Sequence, residues 1–319
     1  MKRFLASAVP CTLLLALLQQ ALTRDLLTFL FFTYIFLVLA ANYDLLGGFL
    51  RYINLGQGAF FGLAAYVFSL LLSHFPAFFA SLHLLGLVLA ALAAVAVTAG
   101  FAFVIAYPLF RLRGAYFAVV TFGLVLALQQ AVLRIPRLTG GSLGITLPPQ
   151  FYLDVHQASL PALGLAFLAV WLNFAVARSR LGVAFHTIRD SEPTAASIGV
   201  DPFRFKRLAL LLAAFPSAVA GCLFALFLGH LYVETVFGME KTLLPVIIAM
   251  VGGSGHFLGP VVGTLVVQGI DLGLRYGQFP IPSLAIFGLL LMGIGLFMPG
   301  GLLSVLPRKA TRRALGAAR

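Results

Sequence analysis

The chain has 319 residues, of which 61% are hydrophobic and only 9% are charged, and its mean hydropathy is +1.06. A water-soluble globule could not cover its surface with so few polar residues, so the composition excludes soluble fold classes and predicts an integral membrane protein. The formal net charge of +12 raises nucleic-acid binding as an alternative, which the distribution of the charges decides.

The apolar segments are continuous rather than alternating, which predicts an all-α polytopic membrane protein and not a β-barrel. About 20 residues cross the hydrocarbon core, so the chain contains about ten candidate helices. They are Phe4–Leu22, Leu26–Leu46, the segment from Gly62 to Ser73, Leu82–Pro108, Ala115–Leu133, Ala158–Ala177, Leu208–Leu231, Leu243–Met250, Pro260–Leu274 and Ile281–Phe297. The first segment has the length of a secretory signal peptide, but Gln19 and Gln20 do not form a small-residue cleavage site, so we expect it to be retained.

The positions of the lysines and arginines predict the orientation. If the chain begins in the cytoplasm and crosses ten times, 16 of its 21 lysines and arginines are cytoplasmic. The remaining cations, on the opposite side, are Arg24, Arg134, Arg137, Lys241 and Arg275. Both termini, the loop 178–207 and a basic tail at 308–319 would then be cytoplasmic, with residues 1–307 forming the transmembrane domain. Membrane orientation and anionic lipids account for the positive charge, which leaves no support for a nucleic-acid partner.

The loop from Arg178 to Arg207 is the longest polar interval in the chain. Asp190 or Ser191 can cap a short helix whose first turn holds a carboxylate and a proline, both of which suit unpaired N–H groups. We predict this helix over Ser191–Ile198, ended by Gly199. An Ala-rich helix between two long apolar segments is suited to contact a soluble partner, although an ordinary solvated loop remains an alternative.

Residues that carry catalysis or bind cofactors are scarce. No phosphate-binding P-loop occurs, and none of the four lysines follows a glycine, so the chain cannot hold nucleotide phosphates in that way. Cys11 and Cys222 lie in apolar runs, and the six histidines lack metal-ligand spacing. We therefore expect no metal, no cofactor and no catalytic residue. Asp271 and Arg275 predict an ion pair at a helix end, with a proton-relay carboxylate as the alternative.

Two glycine clusters interrupt the apolar pattern, at Gly56–Gly62 and Gly252–Gly263. Small residues permit close helix packing, and such breaks in two halves of a transporter often border its pathway. Asn54, Gln57 and Ser254 are polar residues at these breaks, so we predict that they line a translocation pathway. Close packing alone is the alternative.

Several segments together carry a resemblance to a known family. They are Leu55–Gly62 with Ala65 and Tyr66, Arg111–Thr121, Thr139–Gly144, the loop from Arg180 to Lys206, and Gly252–Gly263. In combination they resemble the LivM-type branch of the branched-chain amino acid ABC transporter permease family, over about Leu39 to Leu303. The family usually has histidine at the position of Gln57, often an acidic or amide residue at that of Leu143, and no proline at that of Pro193.

The resemblance implies a permease of the bacterial inner membrane that works with a second, related permease, two cytoplasmic ATPase subunits and a periplasmic substrate-binding protein. It implies branched-chain or other small amino acids as cargo, with urea or short amides as the alternative. The segment Ile188–Gly199 matches the family's ATPase-coupling motif, and the implied coupling residues are Arg189, Glu192, Ala195, Ala196 and Gly199. A proton-coupled secondary transporter using Asp271 or Glu240 is the rival class, and a membrane-embedded enzyme is third.

Overall fold

The structure is a computed structural model that describes residues 22–276 and 300–304, together with positions 10, 12, 15–17, 19, 288, 289, 292 and 293. The described part of the chain is all-helical apart from one short pair of strands, as the sequence predicts. Its helices are α1 (Arg24–Gly47), α2 (Gln57–His74), α3 (Pro76–Ser81), α4 (His83–Leu109), α5 (Ala115–Arg134), α6 (Pro136–Thr139), α7 (Val155–Ala177), α8 (Arg180–Asp190), α9 (Glu192–Ser197), α10 (Pro202–Leu228), α11 (Val233–Phe237), α12 (Met239–Gly252) and α13 (Gly259–Tyr276).

Seven segments of the described residues are long and apolar enough to cross a membrane: α1, α2, α4, α5, α7, α10, and the combined α11–α12 segment. Each corresponds to a span predicted from the sequence. Helix α13 is apolar but shorter. Most of the predicted first helix and most of the predicted tenth helix lie outside the described residues, so the count of ten is not confirmed.

The boundaries of the helices follow local chemistry. The Asp201 carboxylate accepts hydrogen bonds from the N–H groups of Phe203 and Arg204 and so caps α10, which begins with Pro202 and ends at Gly229 with a φ of +69°. These are the start and stop signals that an aspartate, a proline and a glycine supply. Helix α7 begins with a capping box between Asp154 and Gln157.

Helices α1 and α10 lie at the centre of the bundle. Helix α1 packs against α7, α10, α12 and α13, and α10 packs also against α2 and α4. By contrast, only 28% of the apolar window of α4 and 17% of that of α5 are buried inside the protein. These two helices therefore present most of their apolar side chains to lipid or to another subunit.

The polar connections collect at the two ends of the bundle. We call one the hairpin end, where β1 (Ile145–Thr146) pairs antiparallel with β2 (His230–Leu231). The other, which we call the polar end, is formed by Gly48, Arg113, the loop 178–207 and Gly253–Gly255. Residues 300–304 also lie there, since a Cβ at Gly253 would stand 3.0 Å from the carbonyl oxygen of Gly300.

Candidate functional site

The predicted short helix in the polar loop is present as α9. The Ser191 hydroxyl accepts a hydrogen bond from the N–H of Thr194 at 3.4 Å, and Pro193 occupies the first turn, where no intrahelical N–H is needed. Gly199, two residues beyond the helix, has a φ of +87°, and the N–H of Val200 bonds to the carbonyl of Ala195 at 3.0 Å. The predicted start and stop are both confirmed. A second helix in the same loop, α8, is not part of the sequence prediction.

The structure divides the predicted coupling residues between two faces of α9. Ala196 and Gly199 are exposed, together with Ser197 and Ile198. Ala195, in contrast, is fully buried in the apolar cluster that contains Phe185 and Ile188. The expectation that Ala195 lets a partner surface approach is therefore corrected: its small side chain lets α9 pack closely onto the bundle.

Glu192 anchors the first turn of α9 to three other parts of the protein. Its carboxylate accepts hydrogen bonds from the Tyr52 hydroxyl and, at 2.9 Å, from the ammonium of Lys206, and it lies 3.6 Å from the exposed guanidinium of Arg113. Lys206 is buried and its ammonium also lies 4.8 Å from the centre of the Tyr52 ring. The sequence predicts that Glu192 interacts with the N-terminal dipole of α9. The structure adds charge-assisted hydrogen bonds and ion pairs, which are stronger interactions.

The environment keeps Glu192 ionised. Burial on its own would raise the pKa of the Glu192 carboxyl, but the hydrogen bonds from Tyr52 and Lys206 and the charges of Lys206 and Arg113 outweigh it. They hold the pKa below its ordinary value of 4.5. Burial, and then the hydrogen bond to Glu192, raises the pKa of the Tyr52 phenol, so this hydroxyl stays a donor.

Arg189 connects the same loop to the end of α1. Its guanidinium donates a hydrogen bond of 3.3 Å to the carbonyl oxygen of Gly48. Gly48 in turn adjoins Gly255, whose N–H donates a hydrogen bond of 2.7 Å to Asp44 of α1. In this conformation Arg189 is turned into the protein and not toward a partner. Arg204, in the same loop, forms an exposed ion pair with Asp201 at 3.0 Å.

Asp44 is the residue that sequence reasoning missed. It is fully buried, and its second carboxylate oxygen has no hydrogen-bond partner among the described residues. The signal was available, because a carboxylate within a predicted membrane span is costly and usually functional. Asp44 lies near the end of α1, where it contacts the second glycine cluster. Arg189 reaches the same region through its hydrogen bond to the Gly48 carbonyl.

The first glycine cluster forms a helix start inside the bundle. Residues 51–56 have no regular secondary structure, and α2 begins only at Gln57. Both Asn54 and Gln57 are fully buried. The Asn54 side-chain oxygen accepts the N–H of Gly56 at 2.9 Å, and the Gln57 oxygen accepts the hydroxyl of Ser217 at 3.2 Å. Non-helical backbone of this kind is tolerated in membranes only where protein or a polar cavity surrounds it.

Ser254 is not brought together with Asn54 and Gln57. It is exposed, just beyond the end of α12. Helix α12 approaches the first glycine cluster near its own start, where Thr242 lies next to Gly58. The helix from Thr242 to Gly252 is about 15 Å long, so Ser254 belongs to the polar end instead.

The glycines of the second cluster allow two helices to pack closely. A Cβ at Gly252 would lie 1.8 Å from the carbonyl oxygen of Gly259, and one at Gly263 would lie 1.8 Å from that of Ile248. Neither contact is compatible with a larger residue. Close packing, which the sequence leaves open as an alternative, is therefore what these glycines provide between α12 and α13.

Three charged residues with predicted roles have defined surroundings. Lys241, predicted in a loop on the outer side, is buried instead in α12, where its ammonium lies 4.5 Å from the centre of the Phe36 ring. The half-exposed Glu240 lies 3.6 Å from that ammonium. Asp271 is buried in α13 and has an interaction partner. The side chain of Arg275, its predicted partner, lies outside the described residues.

Comparisons with known proteins agree with the resemblance carried by these segments. A family profile described as "Branched-chain amino acid transport system / permease component" matches residues 26–295. The high-affinity branched-chain amino acid transport system permease protein LivM of Salmonella typhimurium is 27% identical over 301 residues, which cover 85% of this chain and 68% of that protein. The protein of the same name from Escherichia coli gives the same identity and the same coverage. No solved structure matches significantly.

Proposed function

Because the chain belongs to the branched-chain amino acid transport permease family, we propose that it is the permease subunit of an ATP-driven importer of branched-chain or other small amino acids. The observation that carries this proposal is α9, a short helix with an exposed face that is anchored through Glu192 to the membrane bundle. A helix exposed on one face and tied to the core on the other is suited to transmit the movement of a soluble partner.

The partners follow from this role. Two cytoplasmic ATPase subunits would supply the energy, since the sequence itself contains no P-loop. One of them would contact the exposed face formed by Ala196, Ser197, Ile198 and Gly199. A second, related permease would complete the membrane unit, and the exposed faces of α4 and α5 are available for it or for lipid. A periplasmic binding protein would deliver the cargo at the hairpin end.

The contacts at the polar end support a mechanism of alternating access. Movement of α9 would act on Tyr52 through Glu192, and thereby on the non-helical segment 51–56, which contains Asn54 and leads into Gln57. The same movement would act on Gly48 and Gly255 through Arg189. Both glycine clusters are thus linked to one loop, so closure of the ATPase pair would change both together.

The proposal also assigns the orientation, with the polar end and both termini in the cytoplasm of a bacterium and the chain in its inner membrane. A secondary transporter would instead need an energy-coupling carboxylate, either Asp271, which is buried in α13, or Glu240, which is half-exposed beside Lys241. A fully formed helix for ATPase contact has no use in that rival class.

Reconstitution separates these two classes. The chain would be purified with its co-assembled subunits and placed in liposomes that contain the binding protein on the side of the hairpin end. We expect uptake of L-leucine that requires ATP on the opposite side and is unaffected by collapse of a pH gradient. Uptake driven by a pH gradient without ATP would refute the proposal.

A further inference from the structure

Two helices begin close to each other in the interior of the bundle. Helix α2 begins at Gln57 and α12 begins at Met239. The hydroxyl of Thr242, in the first turn of α12, would lie 2.7 Å from a Cβ placed on Gly58, in the first turn of α2. Only glycine at position 58 allows this approach. Two helix starts, with their unpaired N–H groups, are thereby placed side by side.

Unpartnered polar side chains surround this meeting point. Within the described part of the chain, the amide nitrogens of Asn54 and Gln57 and the hydroxyl of Thr242 have no hydrogen-bond partner. All three residues are at least 99% buried. Buried polar atoms in native proteins nearly always have partners, so three unpartnered ones on or beside residues 54–58 require an explanation. Both amide nitrogens are donors, and the hydroxyl can also donate.

The two helix starts contribute positive charge, and a buried cation lies next to Thr242 in the sequence. Each helix start carries the equivalent of roughly half a positive charge. Lys241, adjacent to Thr242, adds a buried ammonium that lies among the rings of Phe36, Phe224 and Phe32. The carboxylate paired with it, Glu240, is half-exposed. Donors, helix starts and a buried cation together favour an anion.

We infer that Asn54, Gln57 and Thr242, with the first turns of α2 and α12, form a cradle that binds the carboxylate group of the cargo during its passage. This inference rests on the proposed function and deepens it, because it assigns a cargo class to one site. An apolar wall borders the cradle: Val125 lies 3.6 Å from the Cβ position of Gly58, and Phe237 packs against Gly62 in the next turn of α2. A carboxylate next to an apolar side chain describes a branched-chain amino acid. Urea and short amides carry no carboxylate, so the cradle favours amino acids over them.

The cradle is closed in this conformation, since its side chains are buried. Its position explains how cargo would gain access. The segment 51–56 joins Tyr52, which is hydrogen-bonded to Glu192 of α9, to Asn54 and Gln57. Movement of α9 would therefore act on the segment that contains Asn54 and leads directly into Gln57.

A competition experiment tests the cradle directly. Radiolabelled L-leucine would be bound to the purified assembled complex without binding protein, with 4-methylpentanoate and isoamylamine as competitors. The first competitor is leucine without its amino group, and the second is leucine without its carboxylate. We expect 4-methylpentanoate to compete and isoamylamine not to compete.

Two variants test whether L-leucine binding depends on the residues of the cradle. Gln57→Glu keeps the oxygen that accepts from Ser217 and replaces the free donor by a negative charge, and Thr242→Val removes the free hydroxyl at nearly constant volume. Each should weaken L-leucine binding by at least about tenfold. Thr28→Val is the matched control, since the Thr28 hydroxyl bonds to its own helix at Arg24 and lies far along α1 from the cradle. It should bind L-leucine like the wild type.

The inference is overturned if isoamylamine competes as well as 4-methylpentanoate, if Gln57→Glu and Thr242→Val both bind L-leucine normally, or if the wild-type complex binds none. ATP-driven uptake by the wild type decides the proposed function separately. If the wild type takes up L-leucine and both variants bind it normally, the cradle inference is wrong and the proposed importer function still holds. If L-leucine binding depends on the cradle residues but the wild type shows no ATP-driven uptake, only the proposed importer function is wrong.

Discussion

Asp44 accepts a hydrogen bond from the backbone N–H of Gly255 at 2.7 Å, which joins the end of α1 to the second glycine cluster across 211 positions of sequence. The contact depends on Gly48, where a Cβ would lie 2.0 Å from the Asp44 carboxylate and 2.4 Å from the nitrogen of Gly255. Arg189 reaches the same place by its hydrogen bond to the Gly48 carbonyl. The polar loop is therefore connected to the end of α1 and to the second glycine cluster.

Gly48→Ala should separate α1 from the second glycine cluster, because the added methyl group occupies the space of a buried hydrogen bond. We expect a loss of about 1–3 kcal/mol of stability and a lower rate of ATP-driven uptake. Gly123→Ala in α5 is the control, since a Cβ at that position meets no atom within 4 Å. Thermal unfolding of the purified complex measures the difference. Equal melting temperatures for the two variants would show that Asp44 and Gly255 do not need this close approach.

Glu192→Gln should loosen α9, because the buried ammonium of Lys206 loses its ionised partner. The expected loss is about 1–3 kcal/mol of local stability. Hydrogen exchange at the amides of α9 should become faster, while Asp190→Asn, an exposed carboxylate two residues away, should exchange like the wild type. Unchanged exchange in Glu192→Gln would mean that the contacts of Glu192 do not hold α9.

The pKa of Glu192 also predicts a pH dependence for α9. Because the folded pKa is lowered below its ordinary value of 4.5, the ionised pair contributes its full stability at neutral pH. That contribution is lost as the pH falls below 4.5 and through the lowered pKa. Protection of the α9 amides in the wild type should therefore decrease in this acidic range, and Glu192→Gln should show a smaller change. A loss of protection confined to the range above pH 6 would contradict the assignment.

The orientation can be tested by cysteine labelling. In a background in which Cys11 and Cys222 are replaced, a single cysteine at Ser142 should react with an impermeant reagent from the periplasm. One at Ser191 should react only from the cytoplasm. Both positions lie in connections between spans, at opposite ends of the bundle. Labelling of both from the same side would refute the assigned topology.

Much of the fold is predictable from the sequence because each membrane span has a strong local signal. Continuous apolar segments specify the helices to within a few residues, and Ser191, Pro193 and Gly199 specify α9 through capping chemistry alone. The sequence analysis does not predict α8. Its arginines obscure the helical spacing of its buried apolar residues, which include Phe185 and Ile188.

The candidate site was only partly predictable, because it depends on contacts between distant segments. Polarity identified Asn54 and Gln57 at a break, but nothing local indicates that Thr242 meets Gly58 or that Lys206 meets Glu192. Ser254 has the same polarity and the same glycine neighbours, yet it lies at the polar end. Lys241 was assigned to a loop because charge is the usual sign of one, whereas three aromatic rings surround it inside the bundle.

The exposed face of α9 provides the most direct test of the account, which holds that this helix contacts an ATPase subunit. Ala196→Trp places a large ring on that face and leaves the buried Ala195 side unchanged, so the membrane bundle should fold normally. Ser142→Trp, an exposed change at the hairpin end, is the control. Co-purification of the ATPase and ATP hydrolysis stimulated by the binding protein would be measured for both. The account predicts that Ala196→Trp loses both properties while Ser142→Trp retains ATPase co-purification. Normal co-purification and normal stimulated hydrolysis in Ala196→Trp would contradict it.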